Sequence, residues 1–251
     1  MTTHSGTRFA GIVALAGALA ALTAAVHASS GRSGHDLPDR ILWAWERPED
    51  LRGESGIGVA FLASTVRLIG EKTRLVVRRQ PLRVKPGTPI VAVVRVETRR
   101  PALDRSQRED AVRAILAAAR LPGVRALQID FDAAVSERGF YRRVLVDTRA
   151  SLPRTMPLSM TALASWCLYD GWIEGLPVDE AVPMLFDMGP DASAVQKHLR
   201  DGKDFLLPVC RGSYGVSVAE PVEGLRPGRR VYWWSPAAWT EKTRESTRRT
   251  R

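Results

Sequence analysis

The chain has 251 residues, 45% of them apolar and 25% charged, a balance that can bury a sizeable core and excludes an intrinsically disordered chain. The formal net charge is +10, but the arginines are scattered and not gathered on one element with interleaved aromatics, which argues against a nucleic-acid binder. The cysteines and histidines lack zinc-ligand spacing and no Gly-rich phosphate loop is present, so neither metal nor cofactor is expected.

At the N-terminus Arg8 precedes an apolar run from Phe9 to about Ala28, rich in Ala and Gly, that closes on Val26-His27-Ala28. This is the layout of a secretory signal with a small-residue cleavage site. A retained span is the alternative for about 20 apolar residues, but the run is only weakly hydrophobic. The expected division is therefore a signal peptide over 1–28, one domain over 29–240 and a basic tail over 241–251, in a periplasmic or secreted protein.

Eight apolar runs bounded by turn signals follow: Ile41 to Trp45, Gly58 to Leu62, Ile90 to Val96, Ala126 to Phe131, Leu158 to Leu163, Ala181 to Phe186, Phe205 to Val209 and Val231 to Trp234. Several connections have helical periodicity. One opens at Ser106-Gln107-Arg108-Glu109 and stops at Leu121-Pro122-Gly123, a second runs from Ser136 to Leu152, a third from Ala192 to Arg200, and a last starts at Pro236-Ala237. Between strands two and three, Val66 to Val84 reads instead as an inserted hairpin.

Strands alternating with helices imply parallel pairing through crossovers. The fold expected is α/β, a short (β/α)8 TIM-like barrel with that hairpin insertion; an incomplete or distorted barrel is the alternative, because residues 29–251 fall below the roughly 250 typical of such barrels. An open doubly wound sheet is the runner-up, lacking its glycine fingerprint after the first strand. Cys167 and Cys210 would sit near the ends of strands five and seven, two strand spacings apart, so a disulfide requires a loop that folds inward.

Only His35 and His198 lie beyond the signal, which removes nucleophilic triads and leaves carboxylate chemistry. In a barrel the site forms at the C-terminal strand ends. Trp45-Glu46, Glu97, Asp130-Phe131-Asp132, Phe186-Asp187 and Trp233-Trp234 all fall there. Asp130 and Asp132, two apart, project to the same side of a strand, where neither ionises easily beside the other; that can leave a neutral general acid at pH 7. A helix cap or a pairing with Arg95 is the structural alternative. Flat indole faces at Trp45, Trp166 and one of Trp233 and Trp234 suit sugar rings, and Arg211-Gly212-Ser213-Tyr214-Gly215 reads as a loop after strand seven whose Arg211 and Tyr214 could bind an acidic or hydroxylated ligand.

Val124 to Asp132, reading VRALQIDFD, resembles the fourth-strand signature D-G-[IL]-D-[IL]-D-[WF]-E of chitinase-like family-18 glycoside hydrolases. Met184-Leu185-Phe186-Asp187 resembles the sixth-strand M-x-Y-D segment of that family, and Trp233 or Trp234 falls at its eighth-strand tryptophan. The resemblance implies that Asp132 stands for the acid Glu, one methylene shorter, and Asp130 for its supporting Asp. Gln128 and Arg125 replace two preceding aspartates, and Phe186 lacks the tyrosine hydroxyl. The chain is more closely similar to a family of exported bacterial proteins defined by domain of unknown function 3142. That likeness is carried by Leu42 to Glu46, Leu127 to Ala133, Thr161 to Cys167 and Val182 to Gly189.

The expectation is a glycoside-hydrolase-like protein acting on an envelope or extracellular polysaccharide or oligosaccharide. Asp132 is the general acid, Asp130 tunes it, Glu97 or Asp187 is the second carboxylate, and Trp45, Glu46, Gln128, Trp166, Arg211, Tyr214, Trp233 and Trp234 line the substrate site. The alternatives are a non-catalytic carbohydrate-binding barrel and an envelope scaffold whose basic tail touches anionic lipid head groups. The sequence leaves the sugar, the linkage and the oligomeric state open.

Overall fold

The structure, a computed structural model, describes residues 1–2 and 37–249. The body of the expected signal segment, its cleavage site near Ala28, and His35 lie outside the described residues. Among the described residues no helix is long and apolar enough to cross a membrane.

In chain order the strands are β1 (Arg40–Ala44), β2 (Glu49–Asp50), β3 (Gly58–Ile69), β4 (Lys72–Val77), β5 (Leu82–Arg83), β6 (Ile90–Arg99), β7 (Val124–Asp130), β8 (Leu158–Leu163), β9 (Glu180–Met184), β10 (Ser213–Ser217) and β11 (Arg230–Trp234). The helices are α1 (Arg105–Ala119), α2 (Arg138–Ser151), α3 (Ala192–Arg200) and α4 (Glu241–Arg249). Strands β1, β3, β6, β7, β8, β9, β10 and β11 pair in parallel in that order and β11 returns to β1, closing an eight-stranded TIM-like barrel. The β9–β10 seam is the narrowest, registered at Gly215 and Met184 alone and joined by the Leu185 N–H donating to the Gly215 carbonyl at 2.8 Å. The barrel is short because α1, α2 and α3 fill only three of its crossovers, while a π-helical turn (Trp166–Asp170) and loops serve others.

The expected hairpin is present: β4 folds back antiparallel on the outer half of β3, from Ile69 opposite Lys72 to Ser64 opposite Val77. Buried Gln107 ties α1 to it, its side-chain N–H donating to the Gly70 carbonyl at 2.9 Å. The cap of α1 is Asp104, accepting from the Gln107 N–H at 2.8 Å, two residues before the Ser106 expected to open it.

Inside the barrel, Ile41, Trp43, Ala60, Leu62, Val91, Val93, Ala126, Val182 and Tyr232 form one core; the larger second core lies between the strands and the outer layer. Trp43 fills the axis, its indole N–H donating to Gln128 Oε1 at 2.8 Å. Lower in the barrel Glu180 accepts from Arg230 and from the Tyr232 hydroxyl, both at 3.0 Å, so these buried charges are paired as burial demands.

Three expectations need correction. Strand seven is not Phe205 to Val209 but Ser213 to Ser217, and Arg211 to Gly215 is not a loop after it. The apolar 205–209 run is a loop and a 3-10 turn (Pro208–Cys210), with Leu206 61% exposed. The true strand lacks an apolar run because Trp43 occupies the space beside it: a Cβ on Gly215 would stand 2.8 Å from the Trp43 ring. Consequently Cys210 sits on a turn and not at the end of a strand, and it forms a disulfide with Cys167 at a Cα separation of 6.0 Å. The last helix starts at Glu241, after Trp239 has docked its indole N–H on the Trp43 carbonyl at 2.8 Å.

Substituting Gly215→Ala should drive a methyl group into the Trp43 ring and cost about 1–3 kcal/mol of stability. Urea unfolding checks it, and a midpoint equal to the parent's would mean that Trp43 can yield.

Candidate functional site

Strands β3 and β6 are the longest of the barrel, 12 and 10 residues, and run beyond its C-terminal rim as a wall beside the end of β7. A shift of register between Leu62 and Ser64 inserts Ala63 as a bulge on β3. Before it, Ala60 and Leu62 face the barrel interior; after it, Val66 and Leu68 pack in the outer core and Arg67 and Ile69 face inward. The bulge therefore changes which residues reach the inner side. Without it Arg67 would point under the helices.

Between that wall and β7 lies a cleft of about 550 Å³ lined by Arg67, Arg95, Glu97, Arg99, Asp130 and Asp132 together with Ile69, Val96, Thr98 and Phe131. Asp130 is 8% exposed, and its Oδ1 accepts from the Thr161 hydroxyl at 2.7 Å. Arg95, its registered neighbour on β6, holds Nε 3.7 Å from Asp130 Oδ2 and 3.5 Å from Glu97 Oε1. Glu97 also accepts from Arg67 Nε at 2.8 Å. Asp132 is exposed at the mouth and has no hydrogen bond or ion pair among the described residues.

Burial pushes the Asp130 carboxyl up to about 6, with the charge of Asp132 adding to it; Thr161 and Arg95 offset part of the rise. Partial desolvation by the surrounding cleft also raises the Asp132 carboxyl, partly offset by Arg95. Behind them on α2, Tyr141 packs its ring 5.0 Å from Phe131, and burial together with both aspartates drives its hydroxyl pKa well above the usual value. The arrangement is a solvent-reachable acid backed by a desolvated one that keeps its proton up to about pH 6, an environment suited to general acid catalysis.

Of the residues singled out in the sequence, the structure thus brings together Asp130, Asp132 and Glu97. Asp187 is exposed, has φ of 50°, and its N–H donates to Glu220 Oε2 at 3.2 Å; it does not line the cleft. Trp45 and Trp234 meet edge to face at 5.3 Å, with Phe186 stacked on Trp234 at 6.3 Å and the Arg47 guanidinium 5.7 Å over the same indole. Both tryptophans are half-buried, and Glu46 is exposed on the loop after β1.

Others sit away from the mouth. Gln128 is fully buried between Trp43 and Ser159, and Trp166 is buried in the outer core against Trp172 at 5.0 Å. Trp233 faces the outer core, leaving Trp234 as the inward member of the pair. Arg211 donates to the carbonyls of Phe205 and Leu206, and buried Tyr214 accepts from the Arg226 N–H at 3.1 Å; both lie toward the N-terminal end of β10. Arg67 and Arg99 were missed, since only the bulge and the continuation of β6 beyond the rim reveal them.

Residues 86–182 match the family model described as Domain of unknown function (DUF3142). The segment runs from just before β6 into β9 and carries Arg95, Glu97, Arg99, Asp130 and Asp132. No curated protein and no solved structure matches the chain.

The raised pKa has a stability consequence. Because Asp130 holds its proton more tightly folded than unfolded, its contribution to stability falls as pH rises from about 4 through 6. The rise from 3.8 to about 6 corresponds to roughly 3 kcal/mol. Asp130→Asn should therefore be more stable than the parent by up to about that amount at pH 8 and indistinguishable from it near pH 4. Thermal unfolding at the two pH values checks this.

Proposed function

We propose that the chain is an exported, glycoside-hydrolase-like enzyme acting on an envelope or extracellular polysaccharide. The observation that carries the reading is the pairing of exposed Asp132 with buried, proton-holding Asp130 at one open cleft. Asp132 protonates the glycosidic oxygen of the leaving sugar. Asp130, fixed by Thr161, holds the pair's proton below about pH 6 and passes it to Asp132 for that step. Glu97 is the second carboxylate in this reading, preferred to Asp187 because it lines the same cleft. One Arg95 nitrogen lies within 4 Å of both Glu97 and Asp130, so Glu97 stands close to the aspartate that backs the acid. The likeness of the β7 segment to chitinase-like family-18 enzymes supports the same assignment.

Export is supported by the signal-like N-terminus and by the Cys167–Cys210 bridge, a bond that persists in oxidising compartments. A second reading, a carbohydrate-binding barrel without turnover, is favoured by one observation: Glu97 is occupied by two guanidinium groups, Arg67 and Arg95.

Release of reducing ends from a panel of polysaccharides, by the parent and by Asp132→Asn, separates the two. The enzyme reading expects release by the parent that declines as pH rises above about 6, and a loss of about a hundredfold or more in the variant. Equal release by both proteins, or by neither, removes the claim of catalysis.

A further inference from the structure

We infer that the saccharide taken by this cleft is anionic, bearing a carboxylate or another acidic substituent on the sugar that seats beside Arg99. The inference rests on the cleft being a saccharide site, but not on turnover.

Three guanidinium groups, Arg67, Arg95 and Arg99, face into the same 550 Å³ cleft. Two of them are spent on the acids: Arg67 on Glu97, and Arg95 between Glu97 and Asp130. Arg99 has no ion pair or side-chain hydrogen bond among the described residues, although it stands on the wall of a cleft that also contains three carboxylates. Exposed at the outer end of β6, two positions beyond Glu97, it presents its donors to whatever occupies the lip.

The charge balance favours the same ligand. Arginine stays charged at every working pH, while desolvation raises the pKa of Asp130 and Asp132. As pH falls toward and below 6 the cleft loses negative charge and keeps its positive charge. A neutral sugar would leave that excess uncompensated. An acidic substituent would meet it with a bidentate pairing, the geometry that planar guanidinium groups prefer. The occupant envisaged is a saccharide and not a nucleic acid, because the aromatic residues of the rim, Trp45, Phe186 and Trp234, are packed on one another instead of being presented as successive stacking platforms along a basic groove.

Isothermal titration at pH 6 tests this with three oligosaccharides of equal length: a uronic-acid oligomer, a sulfated neutral-backbone oligomer and an uncharged one, with a single-stranded oligonucleotide of matching charge beside them. Four proteins are compared: the parent, Arg99→Gln, Asp132→Asn and Arg125→Gln. The last alters an exposed arginine at the opposite end of β7 and controls for attraction to the net charge of the whole chain.

The expected result is that an acidic oligosaccharide binds the parent at least about tenfold more tightly than the neutral one, that Arg99→Gln removes about that factor, and that Arg125→Gln leaves it intact. The carboxylated and sulfated arms then identify which acid is recognised. Asp132→Asn should retain binding, so tight acidic binding without any reducing-end release would remove the enzyme reading and keep this one. Release confined to neutral polymers would do the reverse. Equal affinity for charged and uncharged oligomers, a loss in Arg125→Gln matching that in Arg99→Gln, or preference for the oligonucleotide would each overturn the inference.

Discussion

Burial of a carboxyl group at the end of β7, with a second carboxylate two residues away, is the constraint around which the upper end of the barrel is arranged. Desolvation disfavours the charge on Asp130 and Asp132 disfavours it further. Holding the side chain there therefore requires partners: the Thr161 hydroxyl from β8 and the Arg95 guanidinium from β6, one strand away on either side. Both arrive by strand register, with no dependence on loop conformation. A residue kept at a cost to stability, braced on both sides by rigid elements and set beside an open cleft, is what a working site would look like.

The arginine-rich composition looks different once its partners are known. Arg40, Arg244 and Arg248 converge on the buried Glu54 at 2.8, 3.2 and 2.5 Å, which fastens α4 to the start of the barrel. Arg229 grips Asp204 with two nitrogens, and Arg230 neutralises Glu180 inside the barrel. Arg78 turns inward from the end of the hairpin and caps the carbonyls of Ala44, Trp45 and Arg47 beyond β1. Much of the positive charge thus serves internal pairing. Against that background, an arginine in the cleft without a carboxylate partner carries more meaning than the net charge of the chain.

Most of the barrel was legible because buried parallel strands announce themselves as short apolar runs, and seven of the eight do so here. The exception has a physical reason. Strand β10 places Ser213, Gly215 and Ser217 toward an axis already filled by Trp43, so size complementarity across the barrel erased the apolar signal that periodicity depends on. The neighbouring run at Phe205 to Val209 carried that signal without being a strand, and with it went the argument against the disulfide. At the site, the Asp130–Asp132 pair could be read from a spacing of two on a strand. Glu97 followed from its place at a strand end. Arg67 could not be read in this way, since a one-residue bulge reverses the face of everything after it. Trp166 shows the converse: a tryptophan just past a strand end can belong to the outer core as readily as to a rim.

The site depends most on Asp130 keeping its proton to an unusually high pH because Asp132 and the surrounding protein disfavour its charge. Carbon-13 NMR of the aspartate side-chain carboxyl carbons, with Asp130 assigned through Asp130→Asn, reads that directly. The expected result is a midpoint near 6 in the parent and a lower one in Asp132→Asn. A midpoint at the ordinary value of 3.8, unmoved by Asp132→Asn, would contradict it.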